Sequence, residues 1–566
     1  MPAIDLIPGV MSDVPWATPF GTMKAGRGLN IRWRLGQLET LGLFGPLRNL
    51  AGASLEVPLD DGRPVRALYT LQGTDQVQIL AGALNQIHIV TVDPASPGGA
   101  DTRYQVAQLG GALSPTVSET LPSPTLKSTP IMPVWWFAEQ DQTVIGGRAG
   151  VDESLRAWNR DPGDGFEEIE AYVQGDSLGD PTGMAPKRAV GGGILNGIAV
   201  LLGCDSFSET PGDERLTVRW SARRNFQLWD PRFVIDPVTG QANLAGEFQM
   251  DRGSRIIGGG QTGFGIVAWT DKAMAIVSET NSIATVLRRD YVDGARGLLT
   301  NRGWCEADGR VWWIDGGRTL NVYDGGRAQE IENPMRRGTI DRVNEGAAAR
   351  IYMVANPEYG EVLIFYPSGD AVECDRAMVY NYRENAWSVW GLSRAHWYPR
   401  QGIQEAVAVD LAGVVYAHDV GPACPNAFRP DALTAIGPGT GCGDGNLVGA
   451  SNLTPITGFA EFGPMVSPEA GAQTFDGVRL LASWLPTPAI GAEDDTLDVT
   501  IAGLRDANVR DARYEETQSW SQLDTVRDYR VAGRSVTLRI EFNEIRTVYR
   551  LGYVDLTLGG SSGGER

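Results

Sequence analysis

Gly309-Arg-Val-Trp-Trp-Ile314 and Thr319-Leu-Asn-Val-Tyr323, separated by a turn that begins Asp315-Gly-Gly, form the stretch of sequence that decides the fold. Both runs are short and rich in the aromatic and β-branched residues that favour strands. Aspartate and glycine between such runs are typical of a tight turn. The stretch therefore predicts a β-hairpin.

The same pair of runs recurs, with imperfect spacing, from about residue 76 to residue 420. The other first runs are 76–80, 142–145, 197–202, 265–269, 360–366 and 413–416, and the other mates are 86–90, 154–158, 216–220, 273–277 and 377–380. From 265 to 309, 360 and 413 the starts are 44, 51 and 53 residues apart, a period typical of a β-propeller with one small antiparallel sheet per blade.

Six complete pairs precede the unpaired run at Gly413. The pattern predicts a propeller of about six blades. We expect it to close by setting a late strand beside an early one, because closure removes the open sheet edge. An irregular array of β-sandwiches is the alternative.

Composition predicts a large all-β protein with more than one domain. The chain has 566 residues, with 71 glycines and 33 prolines to supply turns, and it exceeds what one hydrophobic core usually organises. We divide it into an N-terminal arm (1–55), the propeller (56–420), a Gly/Pro-rich loop (421–455) and a C-terminal region (456–566).

The C-terminal region contains strands with one buried face. Ser535-Val-Thr-Leu-Arg-Ile-Glu-Phe542 alternates apolar and polar residues, as a strand between core and solvent does. In Tyr549-Arg-Leu-Gly-Tyr-Val-Asp-Leu-Thr-Leu558 the apolar parity changes after Gly552, which predicts a β-bulge. We expect the N-terminal arm and the C-terminal region to form one β-sandwich-like platform, with the propeller inserted between them.

The charge argues against tight binding of DNA. The formal net charge is −20 with Lys+Arg 49, and only four of these cations are lysines (Lys24, Lys127, Lys187 and Lys272). A protein that holds DNA by its phosphates needs a basic face. Passage of DNA is compatible with an acidic wall, which does not trap the polyanion. Simple solubility explains the charge equally well.

The chain lacks signals for export, membranes or structural metal. No apolar stretch approaches the ~20 residues of a membrane helix, and Met1-Pro-Ala-Ile-Asp-Leu-Ile-Pro8 lacks the layout of a secretory signal. We expect synthesis and assembly in a cytoplasm. The five cysteines (Cys204, Cys305, Cys374, Cys424 and Cys442) form no CxxC pair, so free thiols are expected. Only Cys424 and Cys442 share a loop and could pair.

Enzyme and cofactor motifs are weak, and no catalytic, cofactor-binding or metal-binding residue is predicted. Gly258-Gly-Gly-Gln-Thr-Gly263 fits GxGxxG but leads into Phe264-Gly-Ile-Val-Ala-Trp269, a strand where a phosphate-binding site needs a helix. We interpret it as a glycine-rich turn. His88, His396 and His418 have no metal-ligand spacing.

A propeller glycosidase is the best enzymatic alternative, since such enzymes use paired carboxylates. The acidic segments are better interpreted as turns: 60–62, 161–164, 306–309 and 493–498. The pairs Trp135-Trp136 and Trp312-Trp313 could form a sugar-binding surface. Adjacent strand residues point to opposite faces, so core packing is expected for both pairs.

Several segments together resemble the tail nozzle proteins of short-tailed phages, also called tail tubular protein B or tail accessory factors. The segments are Asn30-Ile-Arg-Trp33 with Gly36, 218–231 (Val-Arg-Trp-Ser-Ala-Arg-Arg-Asn-Phe-Gln-Leu-Trp-Asp-Pro), Met378-Val-Tyr-Asn-Tyr-Arg-Glu-Asn-Ala-Trp387, Val531-Ala-Gly-Arg-Ser-Val-Thr-Leu-Arg539 and Tyr549-Arg-Leu-Gly552. Each contains a predicted strand, all but 531–539 contain aromatic residues, and their order along the chain is the order in that family. Residues 92–130 and 421–455 match no pattern of the family.

The resemblance implies a virion structural protein without enzymatic activity. It implies a propeller beside a β platform, six copies in a ring below the phage portal and adaptor, with tail fibres or spikes as further neighbours. Double-stranded genomic DNA would pass through the ring during ejection without tight binding. The alternative function is a carbohydrate-binding or carbohydrate-cleaving propeller that acts in receptor recognition.

Overall fold

The computed structural model describes residues 3–10, 22–41, 43–46, 64–71, 77–92, 104–109, 113, 131–161, 164–172, 183–207, 214–280, 282, 285–398, 406–420, 457–466, 473–485, 496–504, 512–521, 526–542 and 548–558. These residues form an all-β protein made of a platform and a β-propeller. The 421–455 loop, with Cys424 and Cys442, lies outside the described residues.

Seven four-stranded antiparallel arrays form the propeller, one more than the sequence predicts. Five are separate sheets, and the other two are the halves of an eight-stranded sheet. Numbered along the ring from the inner strand outward, the blades are blade 1 (Val65–Leu71, Val77–Ala83, Ile87–Val92, Tyr104–Gln108), blade 2 (Trp135–Gln140, Thr143–Arg148, Arg156–Trp158, Glu167–Glu168), blade 3 (Gly191–Leu195, Ile198–Leu202, Thr217–Trp220, Gly246–Gln249), blade 4 (Ile256–Thr262, Gly265–Thr270, Met274–Glu279, Leu287–Tyr291), blade 5 (Trp304–Ala307, Arg310–Ile314, Leu320–Tyr323, Gln329–Ile331), blade 6 (Tyr352–Asn356, Glu361–Tyr366, Arg376–Asn381, Ala386–Trp390) and blade 7 (His396–Tyr398, Ala406–Val409, Val415–Val420, Leu43–Pro46).

The ring closes through the N-terminal arm. Leu43–Pro46 pairs with Val415–Val420 as the outer strand of blade 7, so an early strand completes a late blade, as the sequence predicts. The inner strand of blade 7 also contacts that of blade 1. The predicted boundary at residue 55 is therefore not a structural division, because the arm supplies strands to both domains.

The platform is one eleven-stranded sheet built from both ends of the chain, which confirms the predicted association of the arm with the C-terminal region. Its strands are Ala3–Val10, Thr22–Leu29, Ile31–Arg34, Gln37–Thr40, Gly458–Val466, Gln473–Leu485, Thr496–Leu504, Ala512–Ser521, Val526–Gly533, Ser535–Phe542 and Val548–Leu558. The sheet curves back on itself: Trp520 Nε1 donates to Tyr529 Oη at 2.9 Å between two strands that are not paired.

The platform strands have the buried faces that their sequences predict. Val536, Leu538 and Ile540 are fully buried, whereas Thr537, Arg539 and Glu541 between and after them are half-buried. The ladder between 473–485 and 548–558 shifts register at Gly552, so the predicted β-bulge is confirmed. The same core continues into blades 5 and 6.

Short helices and one small ribbon complete the described structure. The 3-10 helices are Glu214–Leu216, Arg336–Gly338, Ile340–Arg342 and Glu345–Arg350, and the ribbon pairs Glu170–Ala171 with Gly183–Met184. No helix among the described residues is long and apolar enough to cross a membrane.

Candidate ligand cavity and the platform joint

A cavity of about 700 Å³ lies at the centre of the propeller. Residues on or just before the inner strands of all seven blades line it, for example Tyr69, Trp136, Gln261, Trp304 and His396. Its volume falls in the range of small-ligand sites, roughly 300–1,000 Å³.

A segment before blade 2 closes one end of the cavity. The backbone of Met132 donates to Asn301 Oδ1 at 3.0 Å and accepts from Asn301 Nδ2 at 2.9 Å. Met132 is buried with Val134 and Ala349. Because blades 2 and 5 lie across the ring from each other, the segment 131–134 crosses the central axis, and the cavity is a cup.

Glycines let two tryptophans lie against the cavity wall. Gly192 of blade 3 pairs with Gly260 of blade 4 in a single parallel bridge. Trp136 reaches over Gly192 from blade 2, and Trp304 reaches over Gly260 from blade 5; a Cβ on these glycines would lie 3.0 Å and 2.8 Å from the two indoles. Both indoles are half-buried. The two indoles can therefore lie against the cavity wall only because Gly192 and Gly260 have no Cβ atom.

The GxGxxG segment is the inner strand of blade 4, so its interpretation as a glycine-rich turn is wrong. Residues 256–262 are a strand, and the turn follows at 263–264. A Cβ on Gly191 would lie 2.4 Å from Gly259 O, and one on Gly259 would lie 2.1 Å from Val267 O. Glycine is needed here because neighbouring backbones approach closely.

The polar groups of the cup differ between its two ends. At the closed end, Arg302 Nη2 donates to Ala395 O at 3.1 Å and lies 2.9 Å from His396 Nδ1. At the open end, Gln261 Oε1 accepts from Ile194 N at 3.2 Å. Two carboxylates, Glu139, which is paired with Arg160, and the exposed Asp141, also lie at the open end.

All three histidines are held neutral. Burial lowers the pKa of His88, and burial together with a neighbouring arginine lowers the pKa of His396 and of His418 well below the ordinary value. The arginine beside His396 is Arg302; for His418 it is Arg394, whose Nε donates to His418 Nε2 at 2.9 Å. Within the described part of the chain, no group of three His, Cys, Asp or Glu side chains could hold a metal ion.

The two tryptophan pairs have different roles. Trp312 and Trp313 are both buried, which confirms core packing for that pair. Trp135 is buried and donates to Ala83 O at 2.7 Å. Trp136 is the exception, because it faces the cavity.

The predicted acidic turns are confirmed at Asp161 and Asp164 and at 308–309, but 306–307 and 496–498 belong to the strands Trp304–Ala307 and Thr496–Leu504. Asp308 and Gly309 form a two-residue hairpin loop with φ of 48° and 68°, as Asp-Gly does in type I′ turns. Asn159 Nδ2 donates to Asp164 at 2.8 Å in the next acidic turn. Cys204, Cys305 and Cys374 are free thiols. Residues 60–62 and 493–495 lie outside the described residues.

The joint between platform and propeller is built by Asn30-Ile-Arg-Trp33. Asn30 has the left-handed φ of 57°, and its amide links both domains: Oδ1 accepts from Gly391 N at 2.7 Å, and Nδ2 donates to Thr457 O at 2.6 Å. The carbonyl of Trp33 accepts from Asn381 Nδ2 at 2.9 Å.

An arginine at the centre of this joint is almost fully buried. Arg32 Nε donates to Glu361 Oε1 at 2.7 Å, and both side chains are 1% exposed. The guanidinium carbon lies 3.6 Å from the ring centroid of Tyr359 and 5.2 Å from that of Trp390. The sequence shows the Asn30–Trp33 patch but does not reveal the partners of Arg32, because these lie more than 300 residues away along the chain.

Two of the segments that carry the family resemblance meet at this joint, and a third pairs with the platform strand Gln37–Thr40 that follows the joint. Glu384 in the 378–387 segment accepts from the backbone of Leu35 and Gly36 at 2.8 and 3.1 Å. Tyr549 donates its backbone N–H to Thr40 Oγ1 at 3.1 Å. Sequence motifs that are weak one by one therefore lie in neighbouring parts of the fold.

Comparison with known proteins gives structural matches only. No family model and no curated protein matches the chain. Among solved structures, YCF48 bound to D1 peptide matches with a TM-score of 0.36 and 11% identity over 64% of this chain and 93% of that one. AztD from Citrobacter koseri gives 0.33 and 11% over 61% and 88%, and BamB from Moraxella catarrhalis gives 0.30 and 10% over 64% and 95%. These proteins are β-propellers, and at such scores they carry no argument about function.

Proposed function

We propose that this chain is a structural component of a phage tail. Six copies form a ring-shaped nozzle below the portal and adaptor, beside tail fibres or spikes, and the ring retains and then conducts the double-stranded DNA genome. The protein is assembled in the bacterial host cytoplasm and acts in the virion tail without enzymatic activity.

The observation that carries this proposal is the joint at Asn30–Trp33. The resemblance to tail nozzle proteins rests on short segments spread over the chain, and two of them build one interface between a propeller and a platform made from both chain ends. A shared joint is a physical reason for such segments to occur together. It supports the family interpretation more strongly than any single motif.

The cup-shaped cavity limits where a duplex could pass. The major groove alone of a B-form duplex is about 12 Å wide, so a cup of about 700 Å³ that is closed at one end does not let a duplex through. In the proposed nozzle, the DNA therefore runs through the lumen between copies, and the propellers belong to the wall of the ring.

The mass of the purified protein tests the proposal. Six chains of 61.0 kDa give about 366 kDa, so native mass spectrometry of the chain alone should show a species of that mass, or, after addition of the adaptor and portal proteins, a larger complex that contains six copies. Negative-stain images should then show rings with a central lumen. A chain that stays monomeric under all these conditions, with no ring in the images, would contradict the proposal.

A further inference from the structure

The central cup of the propeller has the features of a small-molecule site, which the nozzle proposal does not use. It is closed at one end by residues 131–134 and has a wall formed by the indoles of Trp136 and Trp304. Aromatic faces beside a few placed polar groups are typical of ligand pockets. The charges and hydrogen-bonding groups of this lining determine which chemical class of ligand fits it.

The charges at the open end of the cup disfavour an anion. Arg302, at the closed end, is engaged by Ala395 O and by the neutral His396. Arg66 donates to Glu373 at 2.9 Å. A ligand entering at the open end first meets the carboxylate of Asp141, so a phosphate or carboxylate group would be repelled.

The hydrogen-bonding groups beside the indoles favour a neutral polar ligand. Gln261 lies next to Gly260 on the cavity wall, with its Oε1 fixed by Ile194 N at 3.2 Å. This bond sets the orientation of the amide, and its NH₂ group is a donor with two hydrogens. A ring with an apolar face and hydroxyl groups at its edge satisfies both the indoles and the amide.

We propose that the cup binds a neutral saccharide of one or two rings. The sugar lies with its apolar face on the wall formed by Trp136 and Trp304 and accepts a hydrogen bond from the Gln261 amide. The site acts by binding alone, and it stands independently of the nozzle proposal, since it requires only the folded chain.

Isothermal titration calorimetry with the full-length chain tests this site. The probes are glucose, galactose, N-acetylglucosamine, maltose and lactose, with adenosine monophosphate as the anionic aromatic comparison. At least one sugar should bind with a dissociation constant of about 1 mM or tighter, equivalent to about −4 kcal/mol, and adenosine monophosphate should bind more weakly. No heat from any of the five sugars, or tighter binding of adenosine monophosphate, would overturn the proposal.

Two substitutions and one control distinguish the cup from other surfaces. Gln261→Glu keeps the acceptor for Ile194 N and removes the NH₂ donor, and Trp136→Leu removes one indole; each should weaken binding of that sugar at least tenfold. Trp220→Phe changes an indole of blade 3 outside the cavity and should leave binding unchanged. Equal affinity in all three folded variants, checked by their thermal transitions, would overturn the site. A variant that fails to fold is replaced by Trp304→Leu, which removes the other indole of the wall.

Discussion

At the scale of single residues, the most informative groups are charged side chains and histidine rings that are buried in the folded protein. Arg32 and Glu361 are buried together in the joint, and Asn356 Nδ2 donates to the second oxygen of Glu361 at 3.1 Å. Removing one partner of a buried pair leaves the other charge uncompensated, which costs about 3–5 kcal/mol. The pair therefore couples the fold of the platform to that of blade 6.

We predict that Arg32→Met lowers the free energy of unfolding by about 3–5 kcal/mol. Adding Glu361→Gln should recover a large part of this loss, because the double variant has no unpaired charge in the joint. Urea unfolding followed by tryptophan fluorescence measures both. A double variant that is less stable than Arg32→Met would show that the ion pair is not the reason for the loss.

His418 makes stability depend on pH. The ring is buried, and its centroid lies 4.5 Å from that of Trp397. Burial and Arg394 hold the pKa of His418 well below the ordinary value near 6.5. Below that pH the unfolded chain takes up a proton that the folded chain does not, so stability falls as the pH decreases.

The expected loss is up to about 1.4 kcal/mol per pH unit for each such histidine below pH 6.5. We predict that His418→Gln, whose amide oxygen can accept from Arg394 Nε, shows a smaller decrease than the wild-type chain between pH 6.5 and 5.5. Urea midpoints at the two pH values measure the difference. Equal decreases in both proteins would mean that His418 does not titrate on unfolding.

At the scale of elements, the sequence predicts the central strands of the blades better than their edges. In the first six blades, the runs seen in the sequence are the second and third strands, such as Arg310–Ile314 and Leu320–Tyr323. Most of their residues are buried on both faces, so these strands are mostly apolar. The second strand of blade 7, Ala406–Val409, has only four residues, half of them alanine. So short a run is not recognisable as a strand in the sequence, and the seventh pair is therefore not predicted.

The parts of the candidate site that the sequence does not reveal depend on contacts far along the chain. The glycines at 191–193 and 258–260 are inner strands because two backbones meet there, and each segment alone reads as a turn. The closing segment 131–134 is held by Asn301, a partner that no local pattern identifies. In contrast, the Asp308-Gly309 turn and the bulge at Gly552 follow from local backbone chemistry and are predictable.

The 232–243 hairpin of blade 3 exposes large apolar side chains to solvent. Its tip exposes Val234, Ile235 and Val238 by 83%, 57% and 61%. The tip is also internally fixed: Asp236 Oδ1 accepts from Val238 N at 2.8 Å and from Asn225 Nδ2 at 2.9 Å. A rigid, exposed apolar group is typical of a protein interface.

In the proposed ring, each copy needs a heterologous contact with the next copy, and we predict that this hairpin belongs to it. Val234→Asp combined with Val238→Asp should leave the thermal transition within about 1 °C, since surface substitutions rarely exceed ±0.5 kcal/mol, and should abolish the ring. Val372→Asp, at a valine that is 53% exposed elsewhere, is the matched control. Rings of unchanged mass in the double variant would exclude the hairpin from the interface.

At the scale of the whole molecule, the two ends of the chain connect the domains. The arm supplies four strands to the platform, the joint to blade 6 and the outer strand of blade 7. The C-terminal strands complete the same platform sheet. A force that acts on the platform is therefore transmitted to the propeller through Asn30–Trp33 and through the closing strand, an arrangement that suits the wall of a conduit.

The net charge of −20 determines whether the proposed ring attracts or repels DNA. Its 45 arginines could form a basic groove despite that charge, but many of those described are paired with carboxylates. The pairs include Arg148–Glu153, Arg156–Glu168, Arg219–Glu247, Arg289–Asp251 and Arg383–Asp308. In the proposed ring, six chains would carry a formal charge of −120, which would repel a polyanion.

We therefore predict that the purified protein binds duplex DNA only weakly at physiological salt, with a dissociation constant no tighter than the roughly 10⁻⁴–10⁻⁶ M of non-specific binding. A gel-shift titration at 50, 100 and 200 mM salt measures this. Tight binding that weakens steeply with salt would mean that arginines grip the phosphates, because counterion release gives that dependence. The ring would then hold the genome by contact, and passage would require those contacts to be broken at every step.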